Sequence, residues 1–145
     1  MPDQPNKPQQ MHNINHTDLQ NFVKQILIAN KTSPEHAEIV SKCLVSADLR
    51  GVDTHGSNRI PSYMERIRQN ALDPSAVPTI RQVTPAVAQV DAHNGFGFVA
   101  AHEGMKLAIS MAQIFGIGMV SVKHSNHFGM SAWLVQQALE ADMMS

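Results

Sequence analysis

The chain has a single cysteine, Cys43, so it holds no internal disulfide, which fits a reducing compartment. It has no apolar run long enough to span a bilayer. It has no excess charge of either sign, only a formal net charge of -1, and no basic run. Nucleic-acid binding therefore has no electrostatic footing. Residues Met1 to Gln10 are rich in proline, glutamine and asparagine. They lack both the apolar stretch of a secretory signal and the arginines of a transit peptide. We take residues 1–16 as a flexible tail. What is present is an ordinary globular balance, 43% hydrophobic and 16% charged, which excludes a disordered chain. A length of 145 residues suits one domain or part of one, with enough chain to bury a core.

Beyond the tail, Thr17-Asp18-Leu19-Gln20 has the form of a capping box. Leu19, Phe22, Val23, Ile26 and Leu27 then share one helical face. Ser33-Pro34-Glu35 starts a second helix, whose stripe runs through Ala37, Val40, Cys43 or Leu44, and Ala47. Gly51 is placed to end it in a left-handed cap. A third helix starts near Pro61, capped by Asn58, with Tyr63, Met64 and Ile67 on its apolar side. Residues 17–75 thus form a helical segment. Residues 76–145 read as strand, helix, strand, helix: Ala86 to Val90, Val99 to Phe115, Ile117 to Val122, and Met130 to Asp142. That order is a βαβ unit and the first part of an α/β sheet domain. Two strands make a thin sheet, and the last helix stops where another strand is expected. The sequence is expected to be a truncated piece of such a fold.

Two turns carry the chemistry. The first is Arg50-Gly51-Val52-Asp53-Thr54-His55-Gly56-Ser57-Asn58-Arg59; the second is His124-Ser125-Asn126-His127-Phe128-Gly129. Imidazole is the side chain best suited to move protons near neutral pH. His55 alone serves equally well as a helix cap. Arg59 weighs against that, because a cation in the first turn of a helix is locally unfavourable unless it meets an anion. A salt bridge to Asp48, Asp53 or Glu65 is the plain alternative. Asp48 and Asp53 also qualify as orienters of a histidine, or simply as acids at helix ends. His124 and His127 follow a strand and precede a helix, where ligands of α/β sheets bind.

Other patterns carry less. His124 and His127 lie three apart, but no carboxylate flanks them in the sequence and no HExxH occurs, so no metal is expected. Gly95-Phe96-Gly97-Phe98-Val99-Ala100 fits the letters of a dinucleotide fingerprint. Polar residues Asp91 to Asn94 intervene where the tight turn belongs, and the next strand ends in Lys123-His124 instead of an acid. A glycine turn that lets a helix pack closely explains it better. The nine methionines read as core filler.

Taken together, the run Asp48 to Gly56, Arg59, Tyr63 and Asn126-His127-Phe128-Gly129 resembles the non-Rossmann malate/L-lactate dehydrogenase family, from about Thr17 to Ser145. That group includes sulfolactate and ureidoglycolate dehydrogenases. Phe98 departs from the polar residue often found there. The resemblance implies hydride transfer between NAD or NADP and the C2 carbon of a 2-hydroxy or 2-oxo acid. It implies proton transfer at His55 or His127, a substrate carboxylate at Arg59, and a nicotinamide near His124 and Asn126. It implies a cytoplasmic homodimer, with the cofactor-binding fold peculiar to the family. Family chains are more than twice as long, so an alternative stands beside the enzyme: an inactive, truncated subunit or binding module that pairs with a full-length homologue.

Overall fold

A computed structural model describes residues 12–145; residues 1–11 of the expected tail lie outside the described residues. Helix α1 spans His16–Ala29. Its cap is Asn15, not Thr17: the extended Asn15 accepts the Thr17 N–H at 2.8 Å, so the helix begins two residues earlier than the capping box implied, on His16, the last residue of the expected tail. Val23 and Leu27 are buried as expected, whereas Phe22, at the margin of that face, is 64% exposed. Helix α2 spans Pro34–Leu49 and starts on Ser33, whose hydroxyl accepts the His36 N–H at 3.2 Å. Ala37, Val40, Cys43, Leu44 and Ala47 are all fully buried. The helix stops at Gly51 (φ +68°), with Gly51 N–H donating to Asp48 O and Val52 N–H donating to Ala47 O. That is the paired-carbonyl ending that a left-handed glycine permits. Burial pushes the Cys43 thiol up to about 11, so Cys43 is a small apolar core residue.

Two single 3₁₀ turns, Asp53–His55 and Ser57–Arg59, lead into α3, Ile60–Arg68. The expected Asn58 cap is not made, because Asn58 is inside the second turn. The Ser57 N–H donates instead to Asp48 Oδ2 at 3.0 Å. A Cβ on Gly56 would overlap that same carboxylate, which explains the glycine after His55.

Among the described residues the sheet has three strands, not two. Strand β1 (Thr79–Thr84) pairs antiparallel with β2 (Val87–Asp91), which pairs in parallel with β3 (Met119–Lys123). The sequence hid β1 for a physical reason. All six of its residues are exposed and its register slips between Gln82 and Thr84, so no alternation survives. Helix α4 (Gly97–Phe115) makes the crossover from β2 to β3 and ends on left-handed Gly116; α5 (Ser131–Leu139) follows. The main core joins α1, α2 and α3 to Phe96, Phe98 and Val99 at the head of α4, with a smaller cluster of Val90, Ala92 and Ala100 under the sheet. Among the described residues no helix is long and apolar enough to cross a membrane.

The glycines of the false fingerprint are packing devices. A Cβ on Gly97 would overlap the Asn126 carbonyl and lie 2.6 Å from the His127 carbonyl. One on Gly95 would meet the Ala76 Cβ at 2.9 Å. The head of α4 is thus closed by protein backbone. Gly97→Ala is expected to cost roughly 1–3 kcal/mol by overpacking, despite alanine's better helix propensity. A urea midpoint that stays in place would count against this.

Candidate active site

The helical segment and the strand ends meet at one place, and both motifs converge on it. The 55–59 turns come from the end of α2, and the 124–129 loop comes from the end of β3. The rings of His55 and His127 lie 5.3 Å apart between centroids. The Thr54 hydroxyl lies 2.9 Å from His55 Nδ1. Tyr63 is buried one turn after Arg59 on α3, and its hydroxyl lies 3.0 Å from His127 Nδ1. The Gly129 N–H donates to that same nitrogen at 3.2 Å.

A backbone N–H can only donate, so Nδ1 of neutral His127 accepts and the ring's proton sits on Nε2. Desolvation lowers the His127 pKa, and repulsion from His55 and then Arg59 adds to the effect. The Gly129 N–H acts in the same sense, since it favours the neutral ring. When His127 is protonated, Nδ1–H needs an acceptor, and of its two neighbours only the Tyr63 hydroxyl can become one. Burial raises the Tyr63 pKa against the opposing pull of Arg59, so that hydroxyl keeps its proton.

Arg59 is half-buried at the head of α3. Among the described residues it forms no ion pair, and its buried Nε has no hydrogen-bond partner. Of the three acids that could have neutralised it, two are committed elsewhere, and Asp53 makes no ion pair with it either among the described residues. Asp48 holds the Ser57 N–H, and Glu65 pairs with Arg68 and Gln69. A guanidinium fork without an acid partner, beside two imidazoles, can hold a carboxylate next to a proton donor.

The other two expected residues stand at the strand ends. His124 is exposed and left-handed (φ +47°), with Nδ1 at 3.0 Å from both oxygens of Asp91. A carboxylate does flank it, then, supplied by the neighbouring strand. The Asn126 side chain is a bracket. Its amide donates to Asn94 O at 2.8 Å and Gly95 O at 3.1 Å, while its oxygen accepts from Arg66 at 2.6 Å. It ties the two strand-end loops to α3. The sequence placed Tyr63 on an apolar helix face and among the residues of the resemblance but gave it no site role, and it offered Asp91 only as part of a polar turn. The i, i+4 spacing from Arg59 to Tyr63 was the available signal for the first; Asp91 offered none, because its partner lies across a parallel pair.

Residues 14–145 match the family described as malate/L-lactate dehydrogenase. The chain belongs to the malate/L-lactate dehydrogenase family. It is 37% identical over 123 residues to a malate/(S)-sulfolactate dehydrogenase of Methanothermus fervidus, covering 85% of this chain and 36% of that protein. It is 34% identical over 128 residues to an NAD(+) ureidoglycolate dehydrogenase of Escherichia coli, covering 88% and 37%. Its fold superposes on the crystal structure of malate dehydrogenase from Entamoeba histolytica with a TM-score of 0.87 at 37% identity, covering 91% of this chain and 37% of that one. The chain therefore spans little more than a third of the length of these malate/L-lactate dehydrogenase relatives. The α/β class, with helices leading into the start of a sheet, is the one the sequence indicated.

Proposed function

We propose that this chain supplies the acid–base and carboxylate-binding side of an oxidoreductase acting on a small 2-hydroxy or 2-oxo acid. The observation that carries it is Arg59, a half-buried guanidinium without an acid partner, set beside the His55–His127 pair. Arg59 holds the substrate carboxylate and so fixes the C2 oxygen near the imidazoles. His127, neutral at pH 7, points an Nε2–H outward as a donor to that oxygen; protonated, it can release that proton to the oxygen as it becomes an alkoxide. His55 is the alternative proton carrier. NAD or NADP, when bound, supplies the hydride. The strand ends suit such a group on one count: the outer nitrogen of His124 is free among the described residues. In this reading His124 meets the nicotinamide side directly, and Asn126 serves it by holding the Asn94–Gly95 turn. The working protein is a cytoplasmic homodimer, and the choice of acid and of NAD or NADP rests with residues beyond these.

The test is a chimera in which this chain replaces the matching part of the Pyrococcus horikoshii malate dehydrogenase, to which it is 33% identical with a TM-score of 0.84. Nicotinamide-dependent reduction of 2-oxo acids is expected, and a folded chimera with no turnover on any such acid would sink the reading. A second reading is favoured by one observation. A groove of about 630 Å³ lies open between α4, β3 and α5, lined by Met105, Ile109, Met119, Val122, Leu134 and the exposed Ile117. Such a face suits a subunit that pairs with a longer homologue. It predicts that the isolated chain self-associates until that partner is added. Sedimentation of the chain as a stable monomer at high concentration would remove it.

A further inference from the structure

The geometry assigns Asp91 the part of a positioning carboxylate: it holds Nδ1 of His124 so that the neutral ring turns an acceptor nitrogen, Nε2, toward a hydroxyl or amide donor of a ligand bound over the strand ends. The ligand half rests on the oxidoreductase reading; the tautomer does not. Asp91 ends β2, and its side chain is only 18% exposed. Oδ1 accepts the His93 N–H at 3.0 Å, Lys123 Nζ lies 3.3 Å from Oδ2, and His93 Nδ1 lies 3.5 Å from Oδ1. The charged and titratable neighbours of the carboxylate are therefore Lys123 and the rings of His93 and His124. The His93 N–H, followed by His124 and Lys123, holds Asp91 below the usual carboxylate range, so at neutral pH it only accepts. His124 Nδ1 must therefore donate, which leaves the Nε2 lone pair of the neutral ring facing outward.

The contact also fixes the backbone. His124 is a non-glycine residue in the left-handed region, and its carbonyl accepts the Asn94 N–H at 2.7 Å. Two chain reversals, each with left-handed residues, are thereby laced together at one carboxylate. His127 is fixed in the opposite sense by Gly129. Three residues apart, the loop thus presents an acceptor at His124 and a donor at His127. That pairing fits a ligand whose polar edge offers both, as a carboxamide does.

Nitrogen-15 NMR of the histidine rings in the 145-residue chain tests the tautomer. At pH 8 we expect the Nδ1–H form at His124 and the Nε2–H form at His127. Asp91→Asn keeps the size and an Oδ1 for the His93 N–H, but puts a donor amide against His124 Nδ1. The ring is then expected to invert to Nε2–H. An Nε2–H form in the unsubstituted chain, or a variant whose tautomer ratio is unchanged, overturns the assignment. Should the variant fail to fold, the unsubstituted chain decides alone. In the chimera, Asp91→Asn is expected to weaken NADH binding about five- to tenfold, as for one hydrogen bond. Unchanged NADH affinity alongside an inverted ring overturns the ligand half. A chimera that binds NADH as expected but turns over no 2-oxo acid sinks the oxidoreductase reading and leaves Asp91 in its place.

Discussion

His127→Ala in the chimera is expected to lower turnover by roughly 10²–10⁴-fold, the usual range for a lost acid–base group, with little loss of stability. The side chain is exposed along one edge, so truncation leaves no deep cavity. The pH profile separates His127 from His55. Reduction consumes a proton, and only the protonated ring can supply it. Because desolvation and the neighbouring His55 and Arg59 lower the His127 pKa, the protonated form is lost as pH rises through a value below the ordinary imidazole range. The rate of reduction is thus expected to be highest in acid and already declining before pH 6.5. Tyr63→Phe removes the hydroxyl that must accept from Nδ1–H of the charged ring, and should move that decline to still lower pH. If the decline persists in His127→Ala with turnover intact, His55 is the proton carrier and the assignment to His127 is wrong.

What could be read in the chain follows from how local each signal was. Ser33, Pro34 and Gly51 act on neighbours within a turn, so both ends of α2 were legible. The long helix and its glycine stop were legible for the same reason. Strand β1 was not, because burial is what writes alternation into a strand, and β1 buries nothing. The site was half legible. His55, Arg59 and His127 announce themselves by residue type beside glycines. Their convergence depends on α3 packing under the 124–129 loop, and neighbouring residues do not encode that. The tautomers were beyond reach altogether. They are set by the Gly129 N–H on one ring and by Asp91 on the other, and the second is an ion pair across a parallel strand pair.

Arg59→Met should separate function from stability most sharply. A guanidinium fork that meets a carboxylate makes two charge-assisted hydrogen bonds, each about 1.5–3 kcal/mol. Losing both corresponds to roughly 10²–10⁴-fold in kcat/KM, carried mainly by KM if the carboxylate is held equally in the ground and transition states. Arg59→Lys keeps the charge but loses the fork, and should recover only part of this. Stability should move the other way. The ligand-free protein buries the Arg59 Nε without a partner, and no acid offsets its charge among the described residues. Methionine retains much of the stem that packs there and removes that unsatisfied donor, so thermal unfolding is expected to hold steady or rise. His127 should register the change as well, since one of the two cations opposing its proton disappears and its pKa should climb toward the ordinary imidazole value. A variant that loses stability in step with activity would make Arg59 a structural residue. A stable one that is inactive on 2-oxo acids, with an upshifted His127, is what an unfilled carboxylate site requires.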